Sequence, residues 1–487
     1  MTSPATKTTM PGTRGAAFEP PTLRHMSERS GVRFGTSGLR GLVLAFTPEI
    51  SSAFTHAFLK ICGTSPGPVL IGHDLRPSSP AIASTCFAEA LRLGFEPVNA
   101  GIVPTPALAF TAQIRGVPAI MVTGSHIPFD RNGIKFYLPQ GEISKDDEAR
   151  ILASPLTLET PVHAALPAAD GSVAEAYVQR YSQAFGPSCL AGMTLGIYEH
   201  SSAARDLLHT ILRALGATTV SLLRSEEFVP VDTEAVSEED RELGRSLARQ
   251  GFDAMLTTDG DADRPLIADE HGNWLRGDAV GVLAARALGA RSVVTPVSSS
   301  TALERSGWFA ETIRTRIGSA HVIAGMASAT RAPVAGYEAN GGFLLGTEVT
   351  LNGNSLAALK TRDAVLPMVL LLDLARKQGI SLSVLAASLP ARHTFSSRLQ
   401  DIQIEACRSL LGQLATGPQA FSRLGFPAAV LDVTDGVRAN LSSGDILHFR
   451  LSGNAPELRC YAEADTAERA ATLCADGLAA VQAMLRR

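Results

Sequence analysis

The run Val69-Leu70-Ile71-Gly72, followed by His73-Asp74-Leu75-Arg76-Pro77-Ser78-Ser79, decides the fold. A short apolar stretch empties into a polar turn, residues 80–93 have the length of a helix, and Gly94 stops it before a second apolar stretch. Strand, polar turn, helix, glycine stop and strand is the order of a βαβ unit. Working outward, the same order returns at 194–198, with Glu199-His200-Ser201-Ser202 at the turn, a helix to Leu215, Gly216 and a strand-like 218–223. It returns again at 292–297, with Ser298-Ser299-Ser300-Thr301 at the turn. Copies spaced by roughly a hundred residues are too far apart for a short-period solenoid and predict three related α/β domains. In such domains the turn after a strand lies at the carboxyl edge of the sheet, where ligands bind. From about Ser388 the pattern changes to short alternating runs such as Ile446-Leu447-His448-Phe449-Arg450, then an Ala-rich helix from Thr466. The expected class is α/β: three related α/β domains with mixed sheets, plus a smaller C-terminal α+β domain, around a central cleft. The expected boundaries are a flexible tail over 1–30, then domains at 31–172, 173–272, 273–387 and 388–487.

Composition fits that count. At roughly 100–200 residues per domain, 487 residues are a prior for three or four domains, and such a chain buries its cores without disulfide or metal staples. Lys and Arg number 43 against 47 Asp and Glu, a net charge of -4. Without long basic runs this argues against non-specific binding to nucleic-acid phosphates and against a polybasic membrane anchor. The densest apolar stretch, 364–375, contains Pro367 and is broken by Asp373, far short of the ~18 apolar residues of a membrane span. Cys62, Cys86, Cys189, Cys407, Cys460 and Cys474 stand apart with no CxxC pair. They read as thiols of a reducing cytoplasm, not as a disulfide framework or a zinc site. Residues 1–30 are rich in Pro, Thr and Ser and lack an apolar core, so no secretory signal is expected; an organelle transit peptide stays open. The expectation is a soluble, cytoplasmic, multidomain enzyme with no nucleic-acid or membrane partner; its oligomeric state is not legible.

Five clusters carry chemistry. Thr258-Asp259-Gly260-Asp261-Ala262-Asp263-Arg264 follows an apolar run. Carboxylates at alternate positions share no helix face but converge in a bent loop. Two such charges at ~4 Å repel by about 4 kcal/mol at an effective dielectric of 20. Convergence therefore calls for a cation, and an all-oxygen set suits Mg²⁺ or Ca²⁺ better than zinc; a solvated acidic loop is the bland alternative. In Ile120-Met121-Val122-Thr123-Gly124-Ser125-His126-Ile127-Pro128 an apolar strand delivers a hydroxyl to its exposed end, as a nucleophile requires. The Ser-His pair invites a hydrolase reading, but GxSxG is absent, and a plain turn fits equally. Lys135 falls on the next strand, within reach of a phosphate. Arg450-Leu451-Ser452-Gly453-Asn454-Ala455-Pro456 can form a nest of backbone N–H groups bracketed by Arg450 and Arg459, without the Gly-Lys-Ser/Thr of a P-loop; a surface hairpin fits as well. Gly336-Tyr337-Glu338-Ala339-Asn340-Gly341-Gly342 brings two polar side chains to a loop that approaches a ligand closely. Gly35-Thr36-Ser37-Gly38-Leu39-Arg40-Gly41 is a phosphate-cradle candidate but no GxGxxG fingerprint. Read alone, these last two are also ordinary loops.

In order and spacing, from about Val32 to Glu463, these five clusters resemble the α-D-phosphohexomutase superfamily. Residues 35–41 match its N-terminal motif, and Thr123-Gly124-Ser125-His126-Ile127-Pro128 resembles its Thr-Ala-Ser-His-Asn-Pro phosphoserine loop. Residues 259–264 look like its metal loop, 336–342 its sugar loop and 450–456 its phosphate loop. The resemblance implies that Ser125 carries the phosphoryl group and that Mg²⁺ is held by Asp259, Asp261, Asp263 and the phosphoserine oxygen. It implies further that Glu338 and Asn340 hold sugar hydroxyls, and that Arg450, Ser452, Asn454 and Arg459 grip the non-reacting phosphate. Arg40, Lys135 and His126 are the implied catalytic neighbours, with Arg264 close by. Phosphoserine would pass its phosphate to a hexose monophosphate and be regenerated from a hexose 1,6-bisphosphate, chemistry that needs positioning and charge neutralisation above all. Gly124, Ile127, Asn454-Ala455 and Tyr337/Ala339/Asn340 depart from the usual motif. The Ser-Gly-Leu form resembles members that act on mannose or glucose phosphates more than those that act on glucosamine phosphates. The Gly-Tyr-Glu-Ala-Asn-Gly-Gly form resembles members that act on mannose phosphates, the expected substrates; glucose and glucosamine phosphates are the alternatives. A metal-dependent sugar phosphatase and a non-catalytic sugar-phosphate sensor are readings from other classes.

Overall fold

The computed structural model describes residues 21–63, 66–156, 164–452 and 456–486. The first unit forms as expected, with strand Pro68–His73, helix Ser79–Arg92 and strand Glu96–Ile102. Residues 69–73 are all buried, as a parallel strand covered on both faces must be. The second unit has strand Thr194–His200, helix Arg205–Ala214 and strand Thr218–Arg224. In the third, the helix is a single short turn, Ala302–Arg305, between strands Ser292–Pro296 and Glu311–Thr315.

All three sheets are mixed and share one plan. A further strand lies parallel to the first strand of the unit on one side and antiparallel to a return strand on the other. It is Ala119–Val122 in the first sheet, Ala254–Thr258 in the second and Val334–Tyr337 in the third. Ser125, the carboxylate loop and the Glu338 loop each follow from that strand. The site thus sits where each sheet switches from parallel to antiparallel pairing, one strand later than the turns that reveal the fold. The fourth sheet is wholly antiparallel, in the order His393–Leu399, Leu458–Ala464, Ile446–Leu451, Val437–Leu441, Ala428–Asp432. Helix Ala467–Leu485 packs on it, with Thr466 Oγ1 accepting from Arg469 N at its start.

The first and fourth sheets have their own apolar cores, while one continuous core runs through the second and third. Helix Val365–Gln378 is buried on most sides within that shared core. No helix among the described residues is long and apolar enough to cross a membrane. Residues 23–30, expected to belong to a flexible tail over 1–30, are folded. Leu23–Ser30 is a helix with Leu23 and Ser27 buried, ended by Gly31 in the left-handed conformation that favours glycine. All six cysteines are free; Cys62 alone is half-buried and the other five are buried.

Candidate active site

Ser125 is buried at the tip of its turn with a left-handed backbone, φ 54°, a conformation costly for a non-glycine residue. Local bonds hold it there. Ser125 N donates to Thr123 Oγ1 at 2.8 Å, and Thr123 Oγ1 in turn donates to Asp74 Oδ2 at 2.8 Å. Ser125 Oγ donates to Asp259 Oδ2 across 2.6 Å. In the carboxylate loop, Asp259 Oδ1 accepts from Asp263 N and Arg264 N, both at 3.2 Å. Asp261 is tied to the first domain through Thr105, whose Oγ1 donates to Asp261 Oδ2 at 2.5 Å.

Asp259, Asp261 and Asp263 are buried and each offers an oxygen within 4.8 Å of the others. Burial first, then the charges of Asp261 and Asp263, push the Asp259 carboxyl up to about 7. Burial acts against Asp263 too, but Arg362, Lys135 and Arg264 outweigh it and hold that carboxyl below its ordinary range. Asp261 Oδ1 and Asp263 Oδ1 are buried without a hydrogen-bond partner. Two orphaned carboxylate oxygens beside Asp259 and a serine hydroxyl form a hard, all-oxygen donor set that fits Mg²⁺.

Around these carboxylates stand the cations. Lys135 Nζ donates to Asp261 Oδ2 and Asp263 Oδ2, both at 2.6 Å. Burial opposes its charge, yet the two carboxylates prevail and raise its pKa. Arg40 has no comparable partner: its Nη2 is buried and unbonded. Burial, then the neighbouring charges of Arg264 and Arg362, bring it down to about 10. A half-buried guanidinium with one enclosed, unbonded nitrogen, crowded by two other arginines, marks a place made for an anion. His126 Nδ1 lies 3.3 Å from Ser125 Oγ and 2.7 Å from Arg264 Nη1. The Arg264 charge, followed by burial and Arg40, holds the imidazole far below its usual range, so the ring stays neutral.

Arg362 escaped the sequence reading. Its Nε and Nη2 donate to Asp263 Oδ2 at 3.1 and 2.7 Å, while its Nη1 donates to Glu338 Oε2 at 3.0 Å. One guanidinium thus bridges the carboxylate loop and the Glu338 loop. The signal was Arg362-Asp363, two charged residues directly before the apolar helix, both buried at the end of strand Leu359–Asp363. Asn340 shares its loop with Glu338, but its Oδ1 accepts from Gly342 N at 3.0 Å and so braces the turn itself.

Arg450 and Arg459 are directly opposed across paired strands, and Arg398 opposes Arg459 on the other side. Three arginines therefore form one row on one sheet face, an arrangement that is unfavourable without counter-charge. Arg398 also went unread in the sequence, because only strand register brings it to the row. Asp435 Oδ1 lies 3.3 Å from Arg450 Nε, and Glu457 Oε2 3.7 Å from Arg459 Nε. Ser452 N donates to Glu457 O at 2.9 Å, while Asn454 lies outside the described residues. Asp435 Oδ2 also accepts from Ile317 N of the third domain at 3.0 Å, tying this end of the cleft to its neighbour.

Four sheets around a buried serine, a carboxylate triplet and a ring of cations define an α/β enzyme that handles anionic groups. Family models described as phosphoglucomutase/phosphomannomutase alpha/beta/alpha domains I, II and III match residues 31–160, 175–272 and 276–393, and the C-terminal domain matches 408–480. The chain belongs to the phosphoglucomutase/phosphomannomutase family of phosphohexomutases. It is 48% identical over 468 residues to a phosphomannomutase of Salmonella muenchen, covering 94% of this chain and 97% of that one. Against a phosphomannomutase of Sinorhizobium fredii it is 43% identical over 474 residues, with 93% and 100% covered. Its fold is similar to a phosphoglucomutase/phosphomannomutase family protein of Burkholderia thailandensis, with TM-score 0.72 and 20% identity over 92% of this chain and 97% of that one. It is also similar to an Aspergillus fumigatus N-acetylphosphoglucosamine mutase solved with GlcNAc-6P and magnesium, with TM-score 0.56 and 15% identity over 95% and 99%.

Proposed function

We propose that this chain interconverts hexose 6-phosphate and hexose 1-phosphate through a phosphoserine at Ser125, with mannose phosphates as its preferred substrates. The observation that carries this reading is Ser125 Oγ, 2.6 Å from Asp259 in a buried pocket ringed by Lys135, Arg264, Arg362 and the unpartnered Arg40. Domains at 31–172, 173–272, 273–387 and 388–487 would contribute one loop each to the cleft. The mannose preference rests on the two phosphomannomutase relatives at 48% and 43% identity, and a cytoplasmic location on the free thiols.

The phosphoserine P–O bond breaks as a bond forms from phosphorus to the free hydroxyl of the bound hexose phosphate, and the proton that hydroxyl loses ends on the freed Ser125 Oγ, which becomes a hydroxyl again. The resulting hexose 1,6-bisphosphate then returns its other phosphate to Ser125. Mg²⁺, held by Asp259, Asp261, Asp263 and the seryl oxygen, would supply charge neutralisation for the transferring group. Arg40 is placed for the equatorial oxygens of that group, and Lys135 and Arg362 keep the carboxylates oriented. His126, kept neutral by Arg264, stands with Nδ1 3.3 Å from Ser125 Oγ and adds no charge there. Glu338 and Asn340 bind sugar hydroxyls, and Arg450, Ser452, Asn454 and Arg459 hold the idle phosphate.

The test is mannose 1-phosphate with Mg²⁺ and a trace of hexose 1,6-bisphosphate, following mannose 6-phosphate and inorganic phosphate together. Isomerisation without net phosphate release, with a higher kcat/KM than for glucose or glucosamine 1-phosphate, is expected. Stoichiometric phosphate release would replace the mutase with a phosphatase, and a higher kcat/KM for glucose 1-phosphate would reassign the substrate.

A further inference from the structure

Arg76 is one of the largest fully buried side chains among the described residues, yet it stands outside the reacting groups. Its guanidinium is spent on the carrier loop. Nη2 donates to the carbonyls of Ser125 at 2.9 Å and Ile127 at 2.5 Å, and Nη1 to those of Pro128 at 2.8 Å and Arg131 at 2.9 Å. Asp74 Oδ2, which also accepts from Thr123 Oγ1 and Gly124 N, lies 3.4 Å from Arg76 Nε. One buried cation thus threads four carbonyls of the turn that strains Ser125.

Two neighbours crowd the planar group. Gly124 comes so near that a Cβ there would lie 2.4 Å from Arg76 Cζ. Glycine at that place, where the phosphoserine loops it resembles carry alanine, is what the close approach requires. A ring covers the guanidinium as well: Phe228 of the second domain has its centroid 4.0 Å from Arg76 Cζ, a cation–π contact. Phe228 belongs to the loop after strand Thr218–Arg224, anchored where Val229 N donates to Ser201 Oγ at 2.8 Å. The same ring reaches the carboxylate loop, since a Cβ on Gly260 would lie 3.1 Å from Phe228 Cε2 and 2.9 Å from the Ser125 carbonyl oxygen.

We propose that Arg76 and Phe228 are a positioning pair that sets the carrier loop of the first domain in register with the carboxylate loop of the second. Arg76 fixes where the Ser125 turn lies, and Phe228, stacked on Arg76 and lining the space beside Gly260, fixes how far that turn stands from Asp259. Neither side chain has a hydrogen bond or ion pair to Ser125 Oγ or to Asp259, Asp261 or Asp263. The inference rests on the phosphoserine reading, so its test includes a measurement that needs no turnover.

Phe228→Leu keeps an apolar side chain but removes the aromatic face, and Phe228→Trp keeps the face. Gly124→Ala pushes on the guanidinium from the loop side. The expected result for Phe228→Leu is a kcat lower on the order of ten- to a hundred-fold, as a misplacement near 1 Å produces. KM for the hexose phosphate should stay within about two-fold and Phe228→Trp should recover most of the rate, because only face and register differ. In the same variant, hydrogen exchange should rise in peptides covering 123–131 and stay unchanged in strand Thr194–His200. Because both changes act through one guanidinium, Gly124→Ala with Phe228→Leu should lose no more than the worse single variant.

Equal losses for Leu and Trp, uniform exchange across the second domain, or additive losses in the double variant would each overturn the pairing. If Phe228→Leu does not fold, its predicted local effect is refuted and Gly124→Ala alone tests the Arg76 half. A wild-type protein that fails to isomerise any hexose phosphate would defeat the functional reading, while the exchange comparison still decides the positioning pair.

Discussion

At Ser125 the charged groups are buried and shared between domains, whereas at Arg450 they stand on one sheet and reach solvent. Lys135 and Arg362 expose 3% of their side chains and Arg264 6%, and each touches a carboxylate or ring from another loop. Across the cleft, Arg450, Arg459 and Arg398 expose 14%, 40% and 54%, and the acids paired with them, Asp435 and Glu457, come from the same domain. A group transferred in a dry, fixed field needs preorganised charge. A phosphate that must be held in two substrate orientations needs adaptable cations in water, where single contacts are weak. The contrast teaches that the two ends should fail differently, one in kcat and the other in KM.

Ser125→Ala gives the largest break. We expect the phosphate adduct to vanish from the intact mass and kcat to fall by at least about 10⁴-fold, as loss of a nucleophile does elsewhere; retained activity would end the carrier reading. Arg362→Ala comes next. It leaves Asp263 and Glu338 buried without their shared partner, a change that costs about 3–5 kcal/mol in stability for a broken buried pair. We expect a lower thermal midpoint and a kcat reduced about 10²- to 10³-fold. Arg362→Lys should rescue only part, since an ammonium cannot span both carboxylates. Full activity in Arg362→Ala would show that the bridge is packing alone.

A third effect compares the two ends through their buried histidines. His200 Nε2 meets the Thr258 carbonyl at 2.9 Å behind the carboxylate loop, and His448 Nε2 meets the Asp435 carbonyl at 2.6 Å beneath the arginine row. Each leaves Nδ1 buried with no partner, and burial lowers both rings to about 4. Because the folded values lie below the ordinary 6.5, the stabilisation is complete above pH 6.5 and is lost as pH falls through 4. About 3 kcal/mol is at stake per ring. Urea unfolding at pH 7.5 and 4.5 should show the loss, and His448→Gln should flatten its share; an unchanged pH slope would discard the linkage.

Sequence and structure agree best where chemistry needs contiguous residues. Ser125 with its neighbours and Asp259-Gly260-Asp261-Ala262-Asp263 were legible because one loop must carry the whole set. The βαβ units at Val69 and Thr194 were legible because strand, helix and glycine stop are local signals. Arg362 and Arg398 were not, since strand pairing brings them to the site from 99 residues beyond Asp263 and 61 before Arg459. Phe228 was hidden for the same reason: nothing in Glu226-Glu227-Phe228-Val229 announces a ring facing a guanidinium in another domain. The third unit misled in a smaller way. Its polar Ser298-Ser299-Ser300-Thr301 turn reads like the others, yet the helix after it spans only Ala302–Arg305.

The smaller effects belong to the solvent-facing end. Asp435 is shared between Arg450 Nε and the backbone N–H of Ile317, so Asp435→Asn keeps the shape and removes the charge that steadies Arg450. We expect KM to rise about five- to ten-fold with kcat within two-fold, the reverse of the Arg362 pattern. A kcat defect instead would place Asp435 with the buried end. Arg398→Ala is the mildest. Its nearest acid is Glu457 Oε1 at 3.5 Å, and more than half of its side chain is exposed, where a single charge is worth roughly 0–1 kcal/mol. That corresponds to a KM change of up to about five-fold at low salt. Screening over a Debye length of about 3 Å at 1 M salt should erase the difference from wild type. If Arg398→Ala instead raises KM equally at low and high salt, its charge is not exposed when substrate is bound, and the row closes over the phosphate as a dry site like the one at Ser125.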